Sequence, residues 1–482
     1  MKLSELLAGV NLSVDIADID IADVSCDSRN VPKNSIFICI KGEKFDGHDH
    51  AEKVCENGAK IVICDHDVGL KNQIIVEDTR AAYAIICANF FGNPSKKMTM
   101  IGVTGTNGKT TIVTTIKDAL TKCSKKIGLI GTIQNEIGDR IVKTSRTTPD
   151  AYELQKLLSE MQKENCDYVV MEVSSHALVQ QRVGAIRYDT AVFTNLSQDH
   201  LDYHSDMEDY FSAKKKLFSV CDIGIVNIDD EHGKRIEKDA DCKILSYSSH
   251  QEGADFFAAD VILQPTGVEF TLNHGNVKTG IKFPMPGEYS VQNVLAVIAT
   301  CVQSGIEIDQ VTKAINSSVG VKGRSEVIPL DRDYTVICDY AHSPDGLQNI
   351  LPSVRKYTKG RLITLFGCGG DRDKLKRPIM GEIAAENSDM LIVTSDNPRT
   401  EKPMDIIADI MVGVNRHNTK YVVIEDRREA IRYALKNARA NDVIILAGKG
   451  HEDYQEIHGE KFDFDERAIV KAINDELISQ GL

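Results

Sequence analysis

The sequence predicts an α/β protein of three domains, and three observations carry that expectation. Its 482 residues exceed what a single hydrophobic core supports, since domains of about 100–200 residues are the rule. Short apolar runs alternate with helical stretches along most of the chain, and largely parallel sheets are the economical way to satisfy that alternation. The run Ile101-Gly-Val-Thr-Gly-Thr-Asn-Gly-Lys-Thr-Thr111 carries a hydrophobic segment into a glycine-rich turn and then a helical pattern, the strand, turn and helix context of a phosphate loop.

The elements follow in order. Residues 1–97 form a small α/β unit with apolar runs at 35–40, 59–64 and 73–76 and one helical stretch at 79–90. Asn93-Pro94-Ser95-Lys96-Lys97 reads as a linker, because proline and polar residues interrupt both periodicities. Residues 98–324 open with the phosphate loop and continue through strand-like runs at 127–130, 168–173, 190–194 and 223–226. After Asp255 the pattern turns strand-rich, and the segment 284–288 introduces a helix from Val291 to about Ser304. Residues 325–482 carry apolar runs at 335–338, 362–366, 391–394, 421–424 and 443–447 with helical stretches between them, a second, Rossmann-like doubly wound unit. Three α/β units in series suggest ligands held between them.

Composition narrows the function. At 42% hydrophobic and 27% charged the chain reads as soluble and globular. No stretch approaches the roughly 18 apolar residues of a membrane span, and the start MKLSELLAGV lacks the regions of a signal peptide, so the expected location is the cytoplasm. Twelve cysteines are scattered singly, as expected for free thiols used as small core residues in a reducing compartment. A formal charge of −14 argues against a nucleic-acid binder, and anionic ligands must then be held by local arginines and lysines against the overall field.

The phosphate loop is the first chemical site. Gly105 and Gly108 let the backbone bend, so the amides of the loop, Thr106 and Asn107 included, can face phosphate oxygens at a helix N-terminus. Lys109 then reaches the β- and γ-phosphates and the Thr110 hydroxyl sits on Mg²⁺. Val103 stands where the longer loop form has a glycine, so this is the short GxxGK[ST] form. Glu172 ends the next strand-like run and is a candidate Mg²⁺ ligand. His200, in Asp199-His200-Leu-Asp202-Tyr-His204, completes a metal or phosphate site or serves as a surface hydrogen-bonding group; two clusters converging on the phosphate loop favour the former. Lys215 and Lys216 read as a solvated helix face. In the third unit Asp339-Tyr-Ala-His342, Gly367-Cys-Gly-Gly-Asp371-Arg372, Asp396-Asn397-Pro398-Arg399 and Gly448-Lys-Gly-His-Glu452 all follow apolar runs. This mixed lining of acids and cations suits a zwitterionic small molecule.

Taken together these motifs resemble the Mur ligase family, from Asp27-Ser28-Arg29 through GTNGKTT, TTPD, EVSSHALVQQR, DHLDYH, DYAHSP, FGCGGDRDKLKRP, SDNPR and AGKGHEDYQ, in order and over nearly the full length. The resemblance implies an N-terminal domain holding a UDP-sugar, a central ATPase and a C-terminal domain that closes to bring in the amino acid. It places Ser28, Glu43, Lys44 and Phe45 at the uridine end, and Thr147, Thr148, Ser174, Gln180 and Arg182 on the sugar and peptide; Arg146 receives no role. It assigns Lys109, Thr110 and Thr111 to the ATP phosphates and the first Mg²⁺, and Glu172 and His200 to the second. Lys214 matches a lysine that the family carbamoylates, turning an ammonium into an anionic oxygen ligand. Asn293, Arg324, Asp339 and His342 match residues that hold adenine, γ-phosphate and ribose across an interdomain cleft.

The DNPR motif accompanies meso-diaminopimelate in the family. A lysine side chain ends in an ammonium that Arg399 repels, whereas diaminopimelate ends in an additional carboxylate that a guanidinium grips bidentately. Arg372 matches the holder of a carboxylate of the incoming amino acid, and Gly448 and Glu452 match contacts to its distal carboxylate and amine. The expected activity is ATP-dependent addition of meso-2,6-diaminopimelate to the D-Glu carboxylate of UDP-MurNAc-L-Ala-D-Glu through an acyl phosphate, by a monomer, in peptidoglycan precursor synthesis. The rivals are an L-lysine-adding member, a folylpolyglutamate-synthase-like ligase, and a nucleotide switch without ligase activity. No NKxD guanine-reading motif supports the last.

Overall fold

Side-chain alternation decides how the first sheet is covered. Ile36 and Ile38 join one apolar cluster with Ile61, Ile63 and helix Thr79–Phe90, while Phe37 and Cys39 join another with Val54, Val62 and Cys64. The four parallel strands Asp23–Ser25, Ser35–Ile38, Ala59–Cys64 and Gln73–Ile75, in that order, are therefore packed on both faces. Asp78 starts the Thr79–Phe90 helix by accepting from the amides of Arg80 and Ala81. Helices Leu3–Leu6 and Ala51–Glu56, four and six residues long, add to the single helix expected here; elements this short do not display a 3.6-residue period. The expected linker contains a turn of 3₁₀ helix, Pro94–Lys97.

The computed structural model describes residues 1–12, 18–42, 45–144, 146–201 and 203–481. They pack as two units, residues 1–247 with 296–311, and residues 248–295 with 312–482. Glu43 and Lys44, expected at the uridine end, lie outside the described residues.

The larger sheet of the first unit runs Lys243–Ser248, Cys221–Asn227, Tyr188–Phe193, Thr99–Thr104, Tyr168–Glu172, Ile127–Ile130, all parallel, then Asn135–Ile137 and Arg140–Val142 antiparallel. After Thr104 the chain travels to one edge of this sheet, whereas after Phe193 it travels to the other. The loops following these two adjacent strands diverge, which opens the crevice where such sheets bind ligands. The phosphate loop and residues 194–200 lie at that switch point.

In the second unit, Phe256–Gln264, Gly267–His274 and Val277–Phe283 form an antiparallel sheet, which supplies the strand-rich segment after Asp255. Helix Glu288–Gln303 follows in the chain, its residues up to Leu295 in this unit and those from Ala296 in the first. A six-stranded sheet then runs Glu326–Ile328, Thr335–Asp339, Val443–Ala447, Leu362–Phe366, Met390–Val393, Lys420–Val423, parallel except for its first pair. Val443, Ile444, Ile445, Leu446 and Ala447 are all fully buried, as a central strand covered on both faces requires. Burying each large aliphatic side chain contributes about 1.5–3 kcal/mol. Helices Pro344–Arg355, Lys376–Asn387 and Pro403–Val414 cover one face, and Arg427–Lys436 and Glu466–Ser479 the other. A two-stranded ribbon, Tyr454–Ile457 with Glu460–Asp463, follows the central strand.

All twelve cysteines are free and eight are buried, which agrees with their use as small core residues. Among the described residues no helix is long and apolar enough to cross a membrane.

Candidate active site

The phosphate loop is tied to the neighbouring strand end by its own backbone. Thr106 N donates to Asn195 O (2.9 Å), Asn107 N to Asn195 Oδ1 (3.0 Å), and Thr194 Oγ1 to Asn107 O (2.6 Å). Gly105 sits at φ +143°, and a Cβ there would lie 1.8 Å from Thr194 Oγ1. Gly108, at φ +88°, leads into helix Lys109–Lys122. The turn is glycine-rich because Gly105 has no room for a side chain and both glycines occupy φ values that side chains disfavour.

Two amines converge on one carbonyl. Lys109 Nζ donates to Gly105 O (2.9 Å) and Thr106 O (2.8 Å), and Lys214 Nζ donates to the same Gly105 O (2.8 Å). Lys214 is 1% exposed, lies 4.3 Å from the centre of the Tyr210 ring, and has no carboxylate ion pair among the described residues. Burial, and then the nearby Lys109 charge, hold its amine well below the usual lysine range. By contrast Lys215 pairs with Asp239 and Lys216 is exposed, as a solvated helix face requires.

Glu172, also 1% exposed, projects from its strand end toward the start of the phosphate-loop helix. Its carboxylate accepts from Thr132 N (2.8 Å), Thr132 Oγ1 (3.0 Å) and Thr110 Oγ1 (3.1 Å). Thr132 was not legible as a site residue, yet it follows strand Ile127–Ile130 and so stands at another carboxyl end of the same sheet. The same network continues to Thr147, Thr148 and Ser174: Thr132 Oγ1 lies 3.1 Å from Thr147 Oγ1, Thr148 Oγ1 donates to Glu172 O (2.9 Å), and Ser174 N to Thr148 Oγ1 (3.1 Å). Arg182 donates to Thr148 O (3.0 Å) and to Gln180 Oε1 (2.6 Å). His200 adopts φ +54°, and its ring meets those of His176 (4.9 Å) and Tyr210 (6.0 Å). Thr111 is buried in the first turn of the phosphate-loop helix.

A cavity of about 620 Å³ gathers Ser28 and Phe45 with Gln180 and Arg182, two pairs that lie more than a hundred positions apart in the chain. Arg80 and Arg146 line it too.

In the second unit the strand ends are cross-linked. Asp339 accepts from Ser325 N (2.7 Å) and Ala341 N (2.8 Å), and burial raises its carboxyl above the usual range, with Arg324 opposing. Arg324 lies 4.9 Å from the Tyr340 ring centre, and His342 Nδ1 meets Tyr340 O at 2.7 Å. Asn293 sits in helix Glu288–Gln303.

Gly448 N donates to Asp339 O (3.0 Å), which joins this group to the next. Asn397 Nδ2 donates to Glu452 Oε2 (2.8 Å), while Lys449 Nζ donates to Asn397 Oδ1 (2.9 Å). Burial raises the Glu452 carboxyl above its usual range. Asp396 lies 3.8 Å from the fully buried Arg427, and a Cβ on Gly448 would come within 2.7 Å of its Oδ2. Gly370 N donates to Asn397 O (2.9 Å), and a Cβ on Gly370 would come within 1.9 Å of Pro398 O, so the FGCGG and DNPR loops touch. Arg372 is exposed on the former loop.

Arg399 is more constrained than the motif implies. It sits at φ +51°, its Nε pairs with Glu456 Oε2 (3.1 Å) on the ribbon, and one terminal nitrogen donates to Gly370 O (2.8 Å). The guanidinium is therefore already fixed in orientation. Glu456, which fixes it, lies one residue beyond the AGKGHEDYQ motif.

The parallel sheet, the short phosphate loop and the buried lysine and glutamate beside it define an α/β nucleotide-binding protein equipped for phosphoryl chemistry. Family models agree and go further: the Mur ligase family catalytic domain matches residues 20–90, the Mur ligase middle domain residues 103–301, and the Mur ligase glutamate ligase domain residues 323–450. The chain is 45% identical over 487 residues to UDP-N-acetylmuramoyl-L-alanyl-D-glutamate--2,6-diaminopimelate ligase of Clostridium tetani, with 99% of this chain and 100% of that one covered. The protein of the same name from Caldanaerobacter subterraneus subsp. tengcongensis is 47% identical, covering 98% and 99%. A solved structure of a ligase of that name superposes with a TM-score of 0.76 at 33% identity, covering 99% of each chain. Folylpolyglutamate synthase of Mycobacterium tuberculosis, solved with ADP, shares the fold alone, at a TM-score of 0.60 and 17% identity over 77% of this chain and 91% of that one. The chain belongs to the Mur ligase family.

Proposed function

We propose that this protein is an acid–amino-acid ligase that uses ATP to add meso-2,6-diaminopimelate to the D-Glu carboxylate of UDP-MurNAc-L-Ala-D-Glu, a step in peptidoglycan precursor synthesis. The observation that carries this reading is the near-full-length identity, 45–47%, with relatives named for that reaction. The residues at the strand ends supply the chemistry it needs.

A carboxylate is a poor acyl donor because oxide would have to leave. Phosphoryl transfer from ATP gives an acyl phosphate, the amine of diaminopimelate attacks its carbonyl carbon, and the tetrahedral adduct expels phosphate to leave the amide. The phosphate-loop amides and Lys109 hold the transferring phosphoryl group and offset its charge. Thr147, Thr148, Ser174, Gln180 and Arg182 hold the sugar and peptide so that the peptide carboxylate points at that group, and Ser28 and Phe45 hold the uridine end. The donors Thr110 Oγ1 and Glu172 Oε2, 3.1 Å apart beside the loop, are hard oxygens of the kind Mg²⁺ takes, with His200 and a carbamate on Lys214 as further ligands. Bound Mg²⁺ supplies charge neutralisation at the phosphoryl oxygens. A neutral, buried Lys214 amine is the form that adds CO₂, and both its burial and its proximity to Lys109 favour that form.

In the second unit Asn293, Arg324, Asp339 and His342 take the adenine, γ-phosphate and ribose of ATP. Arg372, Arg399 and the Asp396, Asn397, Pro398, Gly448 and Glu452 cluster take diaminopimelate. Glu452 is suited to an amine: its raised carboxyl and the adjacent Asn397 amide make a partly buried acceptor that a substrate cation stabilises. The functional division proposed is 1–97, 98–324 and 325–482, in a cytoplasmic monomer.

The test is phosphate release by the purified chain with ATP, Mg²⁺ and UDP-MurNAc-L-Ala-D-Glu, comparing meso-diaminopimelate, L-lysine and no amino acid, with the product mass checked. Release and a tripeptide product only with diaminopimelate are expected. A lysine product would overturn the specificity argument, and no product with either would overturn the choice of acceptor.

A further inference from the structure

Beside the four-stranded sheet, three side chains that the ligase reaction does not use stand together. His48 lies in the 3₁₀ turn Gly47–His50, and Asp65 and His66 directly follow strand Ala59–Cys64. One metal-ligating atom of each lies within 4.8 Å of the other two. The two imidazole rings stack, with centres 4.5 Å apart and planes inclined by 28°.

His48 is buried and held from behind. Asp46 Oδ1 accepts from His48 N (3.0 Å) and meets His48 Nδ1 at 2.6 Å. An ionised carboxylate can only accept, so the proton of a neutral His48 sits on Nδ1 and leaves the lone pair on Nε2. That lone pair faces Asp65: Asp65 N donates to it over a long 3.3 Å, and Asp65 Oδ1 lies 3.2 Å away. A nitrogen and a carboxylate oxygen, both acceptors, thus confront each other with no proton between them. A carboxylate on one imidazole nitrogen and a directed lone pair on the other is the arrangement by which proteins orient metal-binding histidines.

The spacing suits an ion. Ligands on a tetrahedral ion with bonds of about 2.0–2.1 Å stand roughly 3.3 Å apart, close to the 3.2 Å between His48 Nε2 and Asp65 Oδ1. His66 Nδ1 is 2.5 Å from the same Asp65 oxygen, with a proton between them; an ion that displaces this proton opens the contact to the same spacing. His66 can turn to allow it, because its side chain is 60% exposed, and the solvent it meets gives the ion a path in and a water for the remaining position. No lysine or arginine pairs with Asp65 among the described residues. Cys64 is fully buried with its thiol on Ile74 O (3.6 Å), so the donors are two imidazoles and a carboxylate without sulfur. Such a set favours zinc and its neighbours over Mg²⁺, which takes oxygen ligands.

We propose that His48 Nε2, an Asp65 carboxylate oxygen and His66 Nδ1 form a three-ligand site for a divalent transition-metal ion, separate from the phosphate-loop Mg²⁺ ligands. The ion cross-links the turn at 46–48 to the end of strand Ala59–Cys64. The competing reading is a metal-free hydrogen-bonded cluster in which a shared proton does the joining.

The test is calorimetric titration of Zn²⁺ into the full chain and into His66→Gln and Asp65→Asn, with Mg²⁺ in excess throughout. The wild type is expected to bind one zinc equivalent that each variant takes up at least about tenfold more weakly, since loss of a group that merely orients a ligand already costs 10- to 100-fold. Co²⁺ in place of Zn²⁺ should give the wild type visible bands of a nitrogen- and oxygen-bound ion, absent from His66→Gln. His66 is exposed, so its replacement leaves the fold in place, and equal thermal midpoints of wild type and His66→Gln without metal check this. Equal zinc uptake by wild type and His66→Gln would overturn the site in favour of the proton-sharing cluster. Cobalt bands that arise only from thiolate-to-metal charge transfer would overturn it in favour of binding by cysteines.

Discussion

Lys214 and Lys109 share the Gly105 carbonyl, and at neutral pH two ammonium groups so placed repel each other in a site that burial already makes hostile to charge. The arrangement favours an uncharged Lys214, and a carbamate there would bring a negative charge toward Lys109 in place of a positive one. Replacing Lys214 by alanine should therefore lower ligase activity by at least about 100-fold, as for loss of a group that stabilises the transition state, with chloride or acetate restoring part of it. Full activity of Lys214→Ala without added anion would remove the lysine from the mechanism. Arg399→Asn should lower the ratio of diaminopimelate to lysine turnover while leaving nucleotide affinity in place, and an unchanged ratio would count against the carboxylate grip. Residues in compact motifs, such as Lys109, Glu172 and Asn397, stand out in the sequence because polar side chains gather there at the ends of apolar runs, and the structure places them at or just beyond strand ends. Their supports do not: Thr132 and Glu456 act only through a neighbour distant in sequence, and a threonine or glutamate outside a motif has no local mark.

Among the elements, the phosphate loop depends on close approach to the strand beside it. Gly105→Ala would place a methyl group where Thr194 Oγ1 now sits, at a φ of +143°. The loop must shift, so nucleotide affinity should fall by at least about tenfold, the scale of one lost charge-assisted hydrogen bond, with little change in the thermal midpoint. Equal affinity by titration with ATP would show that the loop has slack. In the second unit the strand ends at Ser395 and Ala447 are joined by the fully buried Arg427, which donates to both carbonyls and pairs with Glu466 at 2.8 Å. Arg427→Leu leaves a buried carboxylate unpaired and should cost about 3–5 kcal/mol in denaturant unfolding. A cost below about 1 kcal/mol would mean that the strand ends hold without it. The long strands and helices were legible because their apolar periods span several turns or pleats. The edge strand Glu326–Ile328 and the ribbon that fixes Arg399 were not, since three- and four-residue strands barely establish a period.

For the molecule as a whole, two opposing effects set the response to acid. The chain carries 14 excess negative charges, so lowering the pH first relieves self-repulsion. His451 acts the other way: burial, reinforced by Arg324, Lys322 and Arg467, lowers its imidazole to about 4. Between its unfolded value of about 6.5 and that folded value, the unfolded chain binds a proton that the folded chain refuses, so stability falls as the pH falls through this window. Glu401 continues the trend below it. Its pairing with the fully buried Arg377 lowers its carboxyl from 4.5 to about 2, and the stability it contributes is present above 4.5 and lost as pH falls toward 2. His451→Gln cannot take up a proton in either state, so the difference in unfolding free energy between wild type and variant should change with pH only between about 6.5 and 4. Across that window the wild type should lose stability relative to the variant as the pH is lowered. The two should run parallel above pH 7, whatever offset the substitution itself introduces. Charge relief across the molecule affects both proteins alike and cancels in the comparison. Parallel curves through the whole acid range would show that His451 titrates at its ordinary value and that the cationic groups around it are screened by water.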